Sequence, residues 1–295
     1  MARRGARPGQ AGVIVFSHAN GFPAGVYRQL FEAWRAGGFE VHAVDKFGHD
    51  PGWPVTSNWP HLRDQLIAFI DAEVGGPAWL VGHSLGGILS VLVASKRPDL
   101  ARGVVLLDAP VIAGWRAHSL QVAKATGLMP RITPSRISRS RRQAWPSRAA
   151  VREHFATKTA FARWDPRVLE DYVKSGFVRR GGQTVLAFDR DVESRIYDTL
   201  PHHMQRVLRR HPLRCPLAFI GGQQSAESRQ AGVEATRRLT GEHFVWTTGT
   251  HLFPMEHPET AAALVTEMIE RMAAPAPQAP SIYSRFTSTA FVDGA

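Results

Sequence analysis

Short, continuous apolar runs recur along the chain and have the character of buried strands. They occupy residues 13–16, 41–44, 78–81, 104–107 and 217–220, with a weaker run at 243–246. Because the runs are continuous rather than alternating, both faces of each strand are expected to be covered. Between them, apolar residues recur at helical spacing in residues 27–36, 62–74 and 260–272. This alternation predicts an α/β fold with a mostly parallel central sheet and helices on both faces.

The alternation stops in the middle of the chain and then resumes. Residues 112–211 have helix-like patterns interrupted by Pro and Arg, and only 184–188 resemble a strand. Because strands return on the far side, we predict an inserted, mostly helical lid rather than a second independent domain. The core then consists of residues 1–111 and 212–272. Residues 273–295 are rich in Ala and Pro and lack periodicity, which predicts a disordered tail.

The inserted segment also carries the excess charge of the protein. The chain has 36 Lys and Arg against 25 Asp and Glu, a net charge of +11. Residues 112–212 alone contain 20 basic and 8 acidic residues, a net charge of +12. A basic segment is compatible with an acidic partner, an anionic membrane surface or an anionic substrate, although a solvated basic face is the simpler interpretation. No recognition motif accompanies the arginines, so a nucleic-acid partner is not expected.

The sequence carries few signals for an oxidising compartment, a membrane or a metal. Its one cysteine, Cys215, cannot form an internal disulfide and begins an apolar run, as a small core residue would. No 18 consecutive residues are uninterruptedly apolar, and the run at 13–16 is too short for a signal peptide. We therefore expect a cytoplasmic protein without a transmembrane segment. No spacing of His, Cys and carboxylates suggests a metal, and no cofactor is expected.

The strongest chemical signal lies in residues 82–87, Gly-His-Ser-Leu-Gly-Gly. They follow a predicted strand directly and precede a helix-like segment. In a G-x-S-x-G nucleophile elbow, the serine occupies a strained turn, and the flanking glycines remove side chains that would clash there. The first N–H groups of the following helix face any negative charge that develops nearby. Ser84 is therefore the candidate nucleophile, and the alternative is a glycine-rich turn with an incidental serine.

A serine hydroxyl is a weak nucleophile and needs a base. His251 follows the last predicted strand and a turn-like segment, and it precedes the closing helix, which is where this architecture carries its histidine. His257 is the competitor, but it lies beside Pro258 at a predicted helix start. His83 lies within the elbow and is expected to point away from the serine and to pack.

The histidine needs an acid to orient it, and two candidates remain open. Asp108 ends the run at 104–107, and a carboxylate at that end of a parallel strand can reach His251. Glu227 lies in the loop after the run at 217–220 and is the alternative. We favour Asp108.

An oxyanion hole requires two backbone N–H donors. The first is expected from Leu85, the residue after the candidate nucleophile. The second is expected from the loop at residues 17–23, Ser-His-Ala-Asn-Gly-Phe-Pro, whose small and polar residues let the backbone approach a ligand. Asn20 N–H is the first choice and Phe22 N–H the second, while His18 is expected to hold the loop in shape.

These segments resemble the α/β-hydrolase superfamily over residues 13–272, apart from the lid. Residues 82–86 resemble its nucleophile elbow, residues 17–22 its oxyanion motif with Ala19 where Gly is usual, and residues 249–258 its histidine loop. The family usually carries its acid after the strand ending at residue 220, where this chain has Ser225. Some members place the acid in a segment similar to residues 107–110, and that likeness supports Asp108.

The resemblance implies a serine hydrolase that cleaves a carboxylic ester or a related acyl bond through an acyl-enzyme. The substrate is then a small acyl compound, and the arginines of the lid would favour an anionic one. The family also implies alternatives: a thioester or C–C bond hydrolase, a lyase, or a non-catalytic binding module. The aromatic residues of the lid can line an apolar acyl pocket, with most of them in the lid core: Trp115, Trp145, Phe155, Phe161, Trp164, Tyr172 and Phe177.

Overall fold

A computed structural model of the chain describes residues 11–274. Nine strands lie in this range: β1 (Gly12–Ser17), β2 (Phe39–Ala43), β3 (Ala78–His83), β4 (Ala101–Leu107), β5 (Ala144–Trp145), β6 (Phe177–Arg180), β7 (Gln183–Leu186), β8 (Leu217–Gly222) and β9 (Phe244–Thr247). Six of them form a fully parallel sheet of order β2-β1-β3-β4-β8-β9. The predicted α/β fold with a mostly parallel sheet is confirmed.

The helices cover both faces of this sheet. They are α1 (Arg28–Ala36), α2 (Pro60–Glu73), α3 (Leu85–Lys96), α4 (Gly114–Ala125), α5 (Met129–Ile132), α6 (Ser135–Ser140), α7 (Arg148–Ala156), α8 (Pro166–Ser175), α9 (Arg190–Asp198), α10 (Met204–Arg210), α11 (Ala226–Ala231), α12 (Glu234–Thr240), α13 (Phe253–Glu256) and α14 (Pro258–Ala273). None of these helices combines the length and apolar character that a bilayer crossing needs.

Two hydrophobic cores follow from the alternation of side chains along the central strands. Ile14 and Phe16 of β1 pack with α1 and α14 on one face, whereas Val15 packs with α2 and α3 on the other. Every residue of β3 and of β8 is buried. Because both faces of these strands are covered, continuous apolar runs encode them without a polar position on alternate residues.

The chain leaves the sheet after β4 and returns at β8, the neighbour of β4. The intervening insertion (residues 112–211) contains helices α4 to α10 and a three-stranded antiparallel sheet of order β5-β7-β6. Most residues of the insertion are helical, and the small sheet includes two strands, β5 and β6, that the sequence analysis did not predict. Gly181 and Gly182 join β6 to β7 with φ values of +55° and +78°, and such a glycine pair is a two-residue hairpin signal.

The aromatic residues of the insertion mostly form its core. Phe161 lies 4.5 Å from Trp164 and 4.7 Å from Phe155, between ring centroids, and Phe177 packs edge-on against Trp145 at 5.2 Å. Of the predicted tail (residues 273–295), Ala273 is the last residue of α14, and residues 275–295 lie outside the described residues, as does the segment 1–10.

Candidate active site

Ser84 occupies a strained turn between β3 and α3. Its φ is +52° and its ψ is −113°, a conformation that a non-glycine residue rarely adopts. A Cβ atom on Gly82 would lie 2.3 Å from the Gly86 carbonyl, and one on Gly86 would lie 2.0 Å from the Ser17 carbonyl oxygen. Both contacts are far inside van der Waals distance, so only glycine lets the turn close against the end of β1.

Ser84, Asp108 and His251 line the same cavity. They follow β3, β4 and β9, whose carboxyl ends share one edge of the sheet. The Nδ1 atom of His251 lies 2.6 Å from Asp108 Oδ2. Within residues 11–274, neither the Ser84 hydroxyl nor the Nε2 atom of His251 makes a hydrogen bond. The hydrogen bond between a nucleophile and its base is often long in active sites without substrate, and it tightens when substrate binds.

The Asp108 carboxylate is buried in a ring of donors. Oδ1 accepts from Gly222 N–H and from the Ser228 hydroxyl, both at 3.0 Å, and Oδ2 accepts from the Ser225 hydroxyl at 2.5 Å. Burial raises the pKa of Asp108, but the hydrogen bond and charge of His251, with those donors, bring it below its usual value. Asp108 is therefore ionised at neutral pH.

The contact between Asp108 and His251 shifts the pKa of the imidazole upward, whereas it shifts the pKa of the carboxyl downward. Burial lowers the pKa of His251, but the hydrogen bond and the negative charge of Asp108 raise it more, so the net shift is upward. A carboxylate at Nδ1 also fixes the tautomer, because Nδ1 carries the proton and leaves Nε2 free to accept one.

The alternative acid, Glu227, and the alternative base, His257, do not make the contacts that Asp108 and His251 make. Glu227 is exposed on α11 and lines the cavity, but no hydrogen bond connects it to His251 in the described structure. His257 is exposed at the start of α14, outside the cavity lining. Ser225, where the resemblance led us to look for an acid, instead donates to Asp108, and sequence reasoning missed this role.

Of the loop after β1 (residues 17–23), Asn20 is the residue that lines the cavity. Asn20 N–H has no acceptor among residues 11–274, whereas Phe22 N–H donates to the Ala19 carbonyl at 3.2 Å. Leu85 N–H, in the first turn of α3, has no helical acceptor. Asn20 and Leu85 both line the cavity, whereas Phe22 does not, so the choice of Asn20 and Leu85 as oxyanion donors stays a prediction that this lining favours.

His18 holds this loop, as expected. Its Nδ1–H donates to the Ala19 carbonyl at 2.8 Å, and its Nε2 accepts from Phe47 N–H at 3.0 Å. Burial lowers the pKa of His18 to about 4, so the ring is neutral at physiological pH. A neutral ring is what this pairing requires, since a protonated Nε2 cannot accept.

A chain of hydrogen bonds links the histidine loop (residues 249–258) to the loop after β1 (residues 17–23). His83 Nε2–H donates to the His251 carbonyl at 2.8 Å, and His83 Nδ1 accepts from the Tyr27 hydroxyl at 2.7 Å. The Tyr27 oxygen accepts in turn from Ala19 N–H at 3.1 Å. Burial lowers the pKa of His83 to about 3, which keeps its ring neutral. His83 therefore does more than pack, and the role of Tyr27 had no signal in the sequence.

The insertion also contacts the loop after β1, through Glu193 of α9. Asn20 Nδ2 donates to the Glu193 carbonyl at 2.9 Å, and a Cβ atom on Gly21 would lie 3.0 Å from the Glu193 side chain. The buried Glu193 carboxylate accepts from Arg141 at 2.6 Å and from the Ser138 hydroxyl at 2.9 Å. Helices α6 and α9 thereby hold the loop that carries Asn20.

The cavity above Ser84 has a volume of about 430 Å³ and a mostly apolar lining. The insertion contributes its apolar wall: Trp115, Leu120, Ile132, Pro134, Ile196 and Leu200. Of the seven lid aromatic residues named in the sequence analysis, Trp115 lines the cavity, and its side chain is 70% exposed.

Charged groups at the cavity are few and of both signs. Arg116 is the one described basic residue that lines it, and Glu227 lines it as well. The Arg116 guanidinium stacks over Trp115 at 4.8 Å and lies 3.7 Å from Glu234. Within residues 11–274, no group of three or more His, Cys, Asp or Glu side chains is arranged to hold a metal ion.

The sheet order, the strained serine turn and the histidine after the last strand together define a class of protein. The chain belongs to the alpha/beta hydrolase family, whose sequence model matches residues 14–264.

Particular relatives match shorter stretches. The chain is 31% identical to monoglyceride lipase of Mus musculus over 139 residues, which are 43% of this chain and 46% of that protein. It is 38% identical to 2-(acetamidomethylene)succinate hydrolase of Mesorhizobium japonicum over 76 residues, 24% and 26% of the two chains. The chain therefore spans less than half the length of either relative. The crystal structure of E-2-(acetamidomethylene)succinate hydrolase superposes with a TM-score of 0.70 at 23% identity, over 88% of this chain and 92% of that one, which shows a shared fold.

Proposed function

We propose that this protein is a serine hydrolase that cleaves carboxylic esters through a Ser84–His251–Asp108 triad. The observation that carries the proposal is the 2.6 Å hydrogen bond between His251 Nδ1 and Asp108, at the cavity that Ser84 lines. That bond leaves Nε2 of His251 as the proton acceptor on the cavity side. The remaining requirement, two amide donors near the serine, is supported by the free N–H groups of Asn20 and Leu85.

In the proposed reaction, Ser84 Oγ attacks the ester carbonyl while His251 Nε2 takes its proton. The negative charge on the carbonyl oxygen is stabilised by the two amide donors, and the charge of the imidazolium is stabilised by Asp108. His251 then gives the proton to the departing alcohol, which leaves an acyl-enzyme. Water, activated by His251, attacks the acyl carbonyl and releases the acid.

The lining of the cavity favours a neutral ester with an apolar acyl group. Its volume falls within the range of about 300–1,000 Å³ that is usual for small-molecule sites. Of the lid arginines expected to favour an anionic substrate, Arg116 lines the cavity, but its guanidinium is already engaged by Trp115 and Glu234, and Glu227 adds negative charge nearby. In this proposal the insertion acts as a lid that supplies the acyl-binding wall, and the protein works without a cofactor.

Two measurements test the proposal. A fluorophosphonate probe should label the wild type and fail to label Ser84→Ala, whereas Ser119→Ala, which removes another cavity hydroxyl, should still be labelled. A panel of p-nitrophenyl esters should be hydrolysed by the wild type, with neutral acyl groups preferred over carboxylate-bearing ones of equal length. Labelling without ester turnover would refute the ester assignment and favour a thioester or C–C bond hydrolase, or a lyase. Absence of labelling would refute the serine mechanism and favour a binding module.

A further inference from the structure

A second cavity, of about 490 Å³, lies at the other end of α3. It is formed between α2, the C-terminal end of α3, and α10 with the residue that follows it, His211. Lys96, which ends α3, is the twelfth residue after Ser84, a separation of about 18 Å at 1.5 Å per helical residue. The two cavities share no lining residue, so this one is separate from the proposed active site.

Four cationic side chains line this basic cavity: Arg63, Lys96, Arg206 and Arg210. One carboxylate, Asp64, pairs with two of them, at 2.9 Å from Arg63 and 3.0 Å from Lys96. Within residues 11–274, Arg206 and Arg210 have no carboxylate within 4.0 Å. Four positive charges around one negative charge leave a net charge of +3 at the cavity.

Helix stabilisation explains two of these four positions and not the other two. Lys96 and Arg210 lie at the C-terminal ends of their helices, where the helix dipole favours a cation. Arg63 and Arg206 lie in the first turns of α2 and α10, where the dipole disfavours one. The pKa of the neighbouring His203 is lowered by burial first, then by His202 and Lys124, and to a smaller extent by Arg206 and Arg63 of the cavity. An anion bound in the cavity would relieve this repulsion.

The shape and lining of the cavity point to the class of anion. Guanidinium groups bind phosphate oxygens in pairs of parallel hydrogen bonds, and a lysine ammonium adds a mobile point charge. The cavity is concave, whereas a duplex or a membrane presents its phosphates to an open face. Its apolar residues are Leu92 and Val207, and its one ring is that of the exposed His211, so no Phe, Tyr or Trp lines it to stack on a base.

We propose that this basic cavity binds a compact oligophosphate, either free or as the phosphate tail of a larger molecule, through Arg63, Lys96, Arg206 and Arg210. Recognition rests on the phosphates, since the lining offers little to any other group. Binding should therefore weaken steeply as salt concentration rises. This site is independent of the proposed ester hydrolysis.

Calorimetric titration of the full-length protein with tripolyphosphate at low salt tests the proposal. One molecule should bind per chain, and the double variant Arg206→Gln/Arg210→Gln should lose at least tenfold in affinity. Both arginines are exposed, so the substitutions spare the core, and a thermal melt checks that the variant is folded. Arg209→Gln is the control for the single variant Arg206→Gln, because each removes one exposed positive charge from α10 and only Arg206 lines the cavity.

Several outcomes would overturn the proposal. An equal loss in Arg209→Gln and Arg206→Gln would show diffuse surface attraction, and no binding of tripolyphosphate by the folded wild type would remove the site. ATP should bind no more tightly than tripolyphosphate, and a clearly tighter ATP complex would show that phosphates are not the recognised group. Vesicles with anionic lipid that bind through Arg206 and Arg210, without any tripolyphosphate binding, would assign the surface to membranes instead.

Discussion

Replacing Asp108 with asparagine removes the negative charge and changes the hydrogen bond to His251, but it keeps the shape of the side chain, because the two side chains are nearly identical in size. Oδ1 accepts from Gly222 N–H, a backbone group that can only donate. An asparagine must therefore keep its oxygen toward Gly222, which turns its NH₂ group toward Ser225 and His251. The serine hydroxyl can rotate to accept from this amide. The imidazole can accept a hydrogen bond from this NH₂ group only if its own proton moves from Nδ1 to Nε2.

The expected loss follows from that forced tautomer. With the proton on Nε2, His251 cannot accept the proton of Ser84, and the negative charge that stabilised the imidazolium is gone. Loss of the acid in a serine triad lowers turnover by about 10⁴-fold, which is about 5.5 kcal/mol of transition-state stabilisation at 1.36 kcal/mol per tenfold. The stability cost should be smaller, about 1.5–3 kcal/mol, because hydrogen bonds to a charged group are lost while the volume is kept.

The assay is hydrolysis of a p-nitrophenyl ester, with urea unfolding of the same preparations to separate lost chemistry from lost structure. Glu227→Gln is the matched control, since it makes the same chemical change at the competing acid, and it should stay within about threefold of wild type because that carboxylate is exposed. If Glu227→Gln abolished turnover while Asp108→Asn retained a tenth or more of it, the acid assignment and the tautomer argument would both be wrong.

Three further predictions concern the turn, the chain of hydrogen bonds through Tyr27 and the ion pair. Gly86→Ala should cost about 3 kcal/mol or more in urea unfolding, because its Cβ would lie 2.0 Å from a β1 carbonyl oxygen; Gly76→Ala, with nothing within 4 Å, should be nearly neutral, and equal effects would contradict the packing argument. Tyr27→Phe should cost about 1–3 kcal/mol, because a buried amide loses its acceptor, and it should lower kcat; an unchanged melting temperature and kcat would count against a role for this chain of hydrogen bonds. The pKa of Asp108 is lowered from 3.8, so its contribution to stability is present above that pH and lost as pH falls. The pKa of His251 is raised from 6.5, so its contribution is present below that pH and lost as pH rises. The stability difference between wild type and Asp108→Asn should therefore be largest between about pH 4 and 6.5 in urea titrations, and a difference independent of pH would argue against the ion pair.

Local sequence signals were sufficient for most of the fold. The strands of the large sheet lie within a few residues of the predicted apolar runs, because a strand covered on both faces leaves a continuous apolar run whatever its neighbours are. The strand β5 was missed because it has two residues and its partner, β7, lies far along the chain. The strand β6 was missed despite the glycine pair that follows it, because three of its four residues are exposed and two of these are arginines, which leaves no apolar run. Nothing in a two-residue segment such as β5 distinguishes it from a loop.

The sequence by itself determined where a serine turn can form, because Gly82 and Gly86 are required by steric contacts within and next to the turn. It also predicted His251 as the base, from its place after the last strand. The sequence left Asp108 and Glu227 open, and the hydrogen bond between Asp108 and His251, which supports Asp108 in the proposal, exists only in the tertiary structure, as do the contacts of Ser225 and Tyr27. These contacts are hydrogen bonds between segments more than 50 residues apart. Such bonds leave no periodicity or local composition in the chain, since their geometry exists only once the sheet has brought the segments together.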